Sequence, residues 1–159
     1  MKLYIASSWK NENAVRTLAE VLRAKGHEVD AFCDKSTGRY VFHWSEFVER
    51  EDDLKEYDAK SFMDDPRVQR AFLEDKNWID WAEGVVLLVP SGRSAHLEAG
   101  YAVGHGKPLW IYGALPKGEF DVMYGFAKNI YRIDDLDGLL FGIRFDEAGQ
   151  RLMKARAKA

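Results

Sequence analysis

VVLLVPSGRSAHLEAGYAVGHGKPLWIY, residues 85–112, begins and ends on apolar runs, VVLLV (85–89) and LWIY (109–112). Each is short enough to be a buried strand. Between them a Ser/Gly/Arg turn leads into a stretch of small residues that reads as a helix, closed by Gly106-Lys107-Pro108. Strand, helix, strand implies two parallel strands joined by a right-handed crossover. One carboxylate, Glu98, lies inside this helix. Ala95, Ala99 and Ala102 share its stripe, and so small a stripe is suited to close packing on a sheet. With Ser94 as the helix cap, Glu98 falls near the first turn, where the helix start keeps a carboxylate ionised. A half-buried, ionised carboxylate has the makings of a nucleophile or base. An acid that merely complements the helix dipole is the plainer alternative.

The same grammar extends in both directions. LYIA (3–6) is a first strand. A helical pattern of Val15, Leu18, Ala19, Val21 and Leu22 follows and stops at Gly26, a residue suited to the left-handed position after a helix. EVDAF (28–32) reads as the second strand. DDPRVQRAFLEDKNWIDWAEG (64–84) reads as one helix capped by Asp65, with Pro66 in its first turn. Its expected apolar face is Val68, Ala71, Phe72, Trp78, Ile79 and Ala82, with Asp75 on or beside it. NIYRI (129–133) reads as a fifth strand, and FDEAGQRLMKARAKA (145–159) as a closing helix. Residues 34–64 are acidic and aromatic, with Tyr40, Phe42, Trp44 and Phe47, and read as a flap or insertion; FHWSEFVERED (42–52) within them suits a short helix.

The expected fold is therefore α/β: a five-stranded, mostly parallel, doubly wound sheet of the flavodoxin or Rossmann-like kind, in a single domain spanning 1–159. In the common doubly wound order, strands one and three are neighbours and the chain reverses direction between them. Ligands bind at that reversal, beyond the carboxyl ends of the strands. The turns there are Ser7-Ser8-Trp9-Lys10 and Pro90 to Ser94.

Totals narrow the function. The 159 residues carry a net charge of −3 with both signs dispersed, which argues against a duplex nucleic-acid binder. The single cysteine, Cys33, allows no intrachain disulfide, and no Cys/His spacing suggests zinc or another metal. MKLYIAS turns polar too soon for a signal peptide, and no apolar run is long enough for a membrane span. The expectation is a cytoplasmic protein. Neither a Gly-x-Gly-x-x-Gly turn nor a Walker loop follows the first strand, so a dinucleotide cofactor is not expected.

Two carboxylates, Glu98 and Asp75, could divide labour on a sugar, one attacking the anomeric carbon and the other managing protons. Asp75 reads equally as a surface acid paired with Lys76 or Arg70. The turn Ser91-Gly92-Arg93-Ser94 offers hydroxyls, a guanidinium and free N–H groups, a competent anion site, or an ordinary capping loop. Trp9 could stack on a base or cover the core. His96 and His105 read as helix-surface residues.

Together these stretches resemble the nucleoside 2-deoxyribosyltransferase family, which includes the 2′-deoxynucleoside 5′-monophosphate N-glycosidases. LYIASSW (3–9) resembles the family's first strand and turn, with Tyr4 and Trp9 at matching places. DKNWIDWAE (75–83) resembles its aspartate-bearing helix. HLEAGYAVGHGKP (96–108) resembles its signature, Glu-x-Gly-Tyr-Ala followed by Gly-Lys-Pro. DVMYGF (121–126) resembles a late segment in which Asn-x-Met contacts nucleophile and substrate, here Asp121-Val122-Met123. The resemblance implies Glu98 as nucleophile on C1′ and Asp75 as its proton-handling partner. It implies a covalent glycosyl intermediate resolved by a second base or by water, and no cofactor. It also implies substrate contacts from Tyr4, Ser7, Ser8, Trp9, Lys10, Ser91, Gly92, Arg93, Ser94, Asp121 and Met123. The partners implied are a small-molecule nucleoside or nucleotide and further copies of the chain, at least a homodimer, with neighbours completing the site.

The departures bear on the substrate. The transferases carry an aspartate six residues before the nucleophile and the monophosphate hydrolases a phosphate-binding serine; here the position is Gly92, flanked by Ser91 and Arg93. Ser91, Arg93 and Ser94 favour a phosphate, whereas the first turn lacks the hydrolases' Gly/Arg-rich loop. Nucleoside and 5′-monophosphate both stay open. A nucleotide or nucleotide-sugar sensor on the same scaffold, with Glu98 accepting from a ribose hydroxyl, is the non-catalytic alternative, and a structural subunit the third.

Overall fold

The computed structural model describes residues 1–43, 48, 55 and 57–157. The chain runs β1 (Lys2–Ala6), α1 (Glu12–Ala24), β2 (Glu28–Ala31), α2 (Ala59–Asp64), α3 (Pro66–Trp81), β3 (Gly84–Val89), α4 (Arg93–Gly104), β4 (Leu109–Gly113), β5 (Asn129–Arg132) and α5 (Leu136–Arg156). The sheet order is β2-β1-β3-β4-β5 and all four pairings are parallel. The first and third strands are neighbours, so the direction of winding reverses between them, as expected for a doubly wound domain.

Strand alternation sorts the core into two layers. Leu3, Ile5, Val86, Leu88, Trp110 and Tyr112 point to one face and pack with α1 and α5 residues such as Val15, Leu22, Leu139 and Ile143. Tyr4, Ala6, Val85, Leu87, Val89, Leu109 and Ile111 point to the other, where Ile79 of α3 and Ala95, Ala99 and Ala102 of α4 cover them. Both faces of the central strands are buried, which is why β3 and β4 read as continuous apolar runs rather than alternating ones. Gly84 opens β3 because a Cβ there would lie 2.7 Å from the Trp110 ring. Gly26 adopts a φ of +88° and ends α1. Among the described residues no helix is long and apolar enough to cross a membrane.

The helix read in 64–84 is α3, with Asp65 as its cap and Pro66 in its first turn. Pro66 disfavours a helical conformation at the residue before it, and Asp65 is extended (φ −70°, ψ 125°). Asp65 thus ends α2 and caps α3, its Oδ1 accepting from the Arg67 N–H at 2.8 Å. Two other expectations need correction. Phe72 is not part of the apolar face; it is 55% exposed. Only the C-terminal half of α3 reaches the sheet, through Ile79, while Val68 packs instead with Val48, Phe42 and Phe62. The closing helix starts at Leu136, capped by Asp135, nine residues earlier than the polar tail suggests. Most of the FHWSEFVERED stretch, including Trp44 and Phe47, lies outside the described residues.

Candidate active site

The site begins with Tyr4. Its place on β1 turns the side chain toward the α3/α4 layer, where the ring is buried. Its hydroxyl donates to Oε2 of Glu98 at 3.0 Å. Glu98 reaches that position from α4, at the edge of the stripe of Ala95, Ala99 and Ala102 that presses on the sheet. The alanines bring the helix backbone close enough for the carboxylate to enter the layer at all.

The helix start differs from expectation. Gly92, not Ser94, is the N-cap, and it offers no side-chain cap bond. Glu98 therefore sits in the second turn, where the influence of the helix terminus has faded. Burial pushes its carboxyl up to about 7, with the nearby Asp75 raising it further; Tyr4 and Arg39 pull the other way. The expected reason for an anionic Glu98 is thus replaced by a different one: a donor hydroxyl and a guanidinium oppose a desolvated carboxylate.

Arg39, which the sequence reading did not single out, joins the carboxylates. It is 6% exposed. One of its terminal nitrogens, Nη1, donates to Oδ2 of Asp30 and the other, Nη2, to Oδ1 of Asp75. Asp30 is fully buried on β2 and lies in register beside Tyr4 across the β1–β2 pair, so both face the same layer. Burial raises Asp30 to about 7 against the pull of Arg39, and it raises the Asp75 carboxyl as well. A signal for Asp30 was present: EVDA places a carboxylate in a strand whose two faces are both covered, and such a charge needs a buried partner. Nothing comparable marks Arg39 within its aromatic, irregular segment.

Arg39, Asp75 and Glu98 border a small cavity of about 150 Å³, lined also by Ser7, Trp9 and Phe32 among others, with Ser94 at its rim. Asp75 keeps 37% side-chain exposure there. Trp9 stands edge-on to Phe32, ring centroids 4.8 Å apart, and lies against His43 at 4.4 Å. Ser7 is held rigidly: its hydroxyl donates to the Leu88 carbonyl at 2.8 Å and accepts from Asn11 at 3.1 Å. The volume is below the roughly 300–1,000 Å³ of sites that enclose a whole drug-sized ligand. It suits a pentose-sized group, with any larger substituent at the mouth.

The remaining sequence candidates fall elsewhere. Ser8 caps the 3₁₀ turn Trp9–Asn11, accepting from the Lys10 N–H at 3.3 Å, and Lys10 is exposed. Ser91, Gly92, Arg93, Asp121 and Met123 line a second groove of about 800 Å³. Helical spacing puts that groove on the face of α4 opposite Glu98. Asp121 caps the 3₁₀ turn Val122–Phe126 through the Met123 N–H at 2.8 Å, and Met123 is 57% exposed. The Ser91 hydroxyl is buried without a partner. Within one protomer, then, Tyr4, Ser7, Trp9, Asp75, Ser94 and Glu98 come together, and the Ser91–Arg93 turn and the Asp121–Met123 segment do not join them.

No protein-family model and no curated protein matches the chain. Among solved structures, the fold is similar to that of a 2-deoxyribosyltransferase from the psychrotolerant bacterium Bacillus psychrosaccharolyticus, a biocatalyst for nucleoside synthesis. The TM-score is 0.50 at 23% identity, over 77% of this chain and 78% of that one. At that identity the likeness establishes a shared α/β fold.

Proposed function

We propose that the protein cleaves the N-glycosidic bond of a 2′-deoxynucleoside or its 5′-monophosphate. The observation that carries this is Glu98, bonded by the Tyr4 hydroxyl behind it, at the wall of a sugar-sized cavity that Asp75 also lines. With Tyr4 occupying Oε2, Oε1 of Glu98 attacks C1′ of the deoxyribosyl group. The C1′–N bond breaks, its electron pair leaves on the base, and Asp75 supplies the proton the departing base takes up. The glycosyl ester on Glu98 is then attacked at C1′ by the nitrogen of a second base or by water. The ester C–O bond breaks, the carboxylate is restored, and the incoming nucleophile returns a proton to Asp75. Trp9, at the cavity wall, offers a ring face to the base. The fold shared with a 2-deoxyribosyltransferase supports this reading.

The lining leans toward the uncharged substrate. Among the described residues bordering the cavity, Arg39 is the one cation, and it is engaged by Asp30 and Asp75. The Ser91–Arg93 turn, the other candidate for a phosphate, opens on the opposite face of α4. Leu97 (74% exposed), Phe120 (80%) and Phe126 (57%) border that same groove, an apolar surface suited to a second copy of the chain. A homo-oligomer in the cytoplasm is the assembly this reading takes.

The test is a substrate screen. Each 2′-deoxynucleoside and 5′-monophosphate is incubated with the protein, with and without a second free base, and the products are separated by chromatography. Wild type is expected to release or exchange base with at least one of them and Glu98→Gln with none. Equal inactivity of the two proteins across the whole set overturns the proposal.

A further inference from the structure

The cation under the cavity has no assigned task. Arg39 is nearly fully buried, and it joins two carboxylates from different elements, Asp30 from β2 and Asp75 from α3. Its Nε is buried and makes no hydrogen bond, and the same holds for Oδ1 of Asp30. A merely structural ion pair is usually satisfied on all sides when buried, because each orphaned polar group costs about 1–3 kcal/mol. This one is instead strung as a line, Asp30–Arg39–Asp75, whose last member alone reaches the cavity with appreciable exposure.

We propose that Arg39 and Asp30 are positioning residues for Asp75: Arg39 holds Oδ1, leaves Oδ2 turned to the substrate, and with Asp30 sets the charge that Asp75 and Glu98 experience. This rests on the reading of Glu98 and Asp75 as the reacting pair. The geometry has a chemical logic. An acid that must give and retake a proton during one turnover needs a fixed orientation and a proton affinity between those of a bare and a fully paired carboxylate. A lone Arg39 would hold Asp75 strongly as an anion. Sharing the guanidinium with Asp30 divides that pull. The charged and titratable groups facing the pair are Tyr4 from β1, Asp30 from β2, Arg39 from the segment after β2, Glu74 beside Asp75 on α3, and Glu98 from α4. Of these, Arg39 is the one cation.

Opposite effects of two substitutions separate positioning from general structural damage. Carbon-13 carboxyl NMR titration of the intact protein reads the midpoints of Asp75 and Glu98 directly. Asp30→Asn removes an anion and leaves Arg39 to Asp75 alone, so both midpoints fall. Arg39→Met removes the cation, so both rise, by about 1 pH unit or more for Asp75. If Arg39→Met fails to fold because Asp30 is left buried and unpaired, the double variant Arg39→Met/Asp30→Asn removes both charges together, and its Asp75 midpoint is expected above that of Asp30→Asn. The kcat/KM profile against pH moves with these midpoints, and Arg39→Lys, which keeps the charge but not the fork, restores the midpoint more than the rate. Midpoints that stay put, or that move in the same direction in Asp30→Asn and in the Arg39 variants, overturn the proposal. The titration needs no substrate. A wild type that acts on no deoxynucleoside therefore sinks the proposed reaction, while the midpoints still decide whether Arg39 and Asp30 control Asp75.

Discussion

Glu98 sets two demands against each other, and pH exposes the conflict. Its carboxyl is pushed from the ordinary range near 4.5 up to about 7 in the folded chain. Between those values the folded protein holds a proton that the unfolded chain releases. Stability must therefore be greatest below the unfolded value and decline as pH rises through about 7. The proposed reaction wants Glu98 ionised, so kcat/KM should climb across the upper part of the same window. Glu98→Gln keeps the shape and can still accept from the Tyr4 hydroxyl, yet never takes on charge. Denaturation at about pH 5 and about pH 8 should show the variant close to wild type at the lower value. At the higher it should be more stable, by on the order of 2 kcal/mol. Asp30 titrates in both proteins, and losing the Glu98 charge lowers its midpoint in the variant, which favours the variant in the same direction. An advantage that is absent at high pH, or equal at both, would show that Glu98 carries no burial penalty. Glu98 was legible in the sequence because a charge among alanines is conspicuous. The reason for its state was not, because the N-cap at Gly92 and the hydroxyl of Tyr4 arise from packing between elements 94 residues apart.

α4 shows what was readable at the scale of the element. Ala95, Ala99 and Ala102 are 1%, 2% and 0% exposed, as a stripe of small residues at helical spacing requires when it meets a sheet. The central strands β3 and β4 were visible for a related reason: with both faces covered, every strand position in VVLLV or LWIY must be apolar. α3 was less legible. Its stripe continues at the right spacing through Phe72, but spacing says only which face a residue takes, not how far the sheet beneath it extends. Arg39 and the residues around it follow no period at all, so their convergence on Asp75 had no local signature. The α4 packing makes a sharp prediction. Ala95→Leu adds three carbons to a contact that has no room for them, on a side chain 1% exposed against the sheet, which should cost about 1–3 kcal/mol. It should also lift the helix from the sheet and draw Glu98 away from Tyr4. Urea denaturation and base-release rate measured on the same variant should fall together. Loss of stability with an unchanged rate would mean that the alanine stripe does not position Glu98.

For the whole molecule, the two faces of α4 divide the candidate residues between them. One face carries Glu98 into the cavity with Asp75; the other carries Leu97 beside Phe120, Met123 and Phe126, all exposed in a single copy. A monomer would leave this apolar surface in water, at a cost of about 25 cal/mol for each Å² that an interface could cover. Arg93 and Asp121 at its edge supply the polar rim that such interfaces favour. Because the helix that lines the groove also carries Glu98, association and activity should be coupled through α4. Leu97→Asp places a charge in the centre of the groove on a side chain that is 74% exposed in the isolated chain, so the fold itself should tolerate it. Light scattering coupled to size exclusion should find wild type as a dimer or larger and the variant as a monomer at the same concentration, with unchanged circular dichroism. Its base-release rate should drop with the loss of association and recover in part as protein concentration is raised. A wild type that already runs as a monomer at micromolar concentration would refute the coupling and leave α4 with one working face.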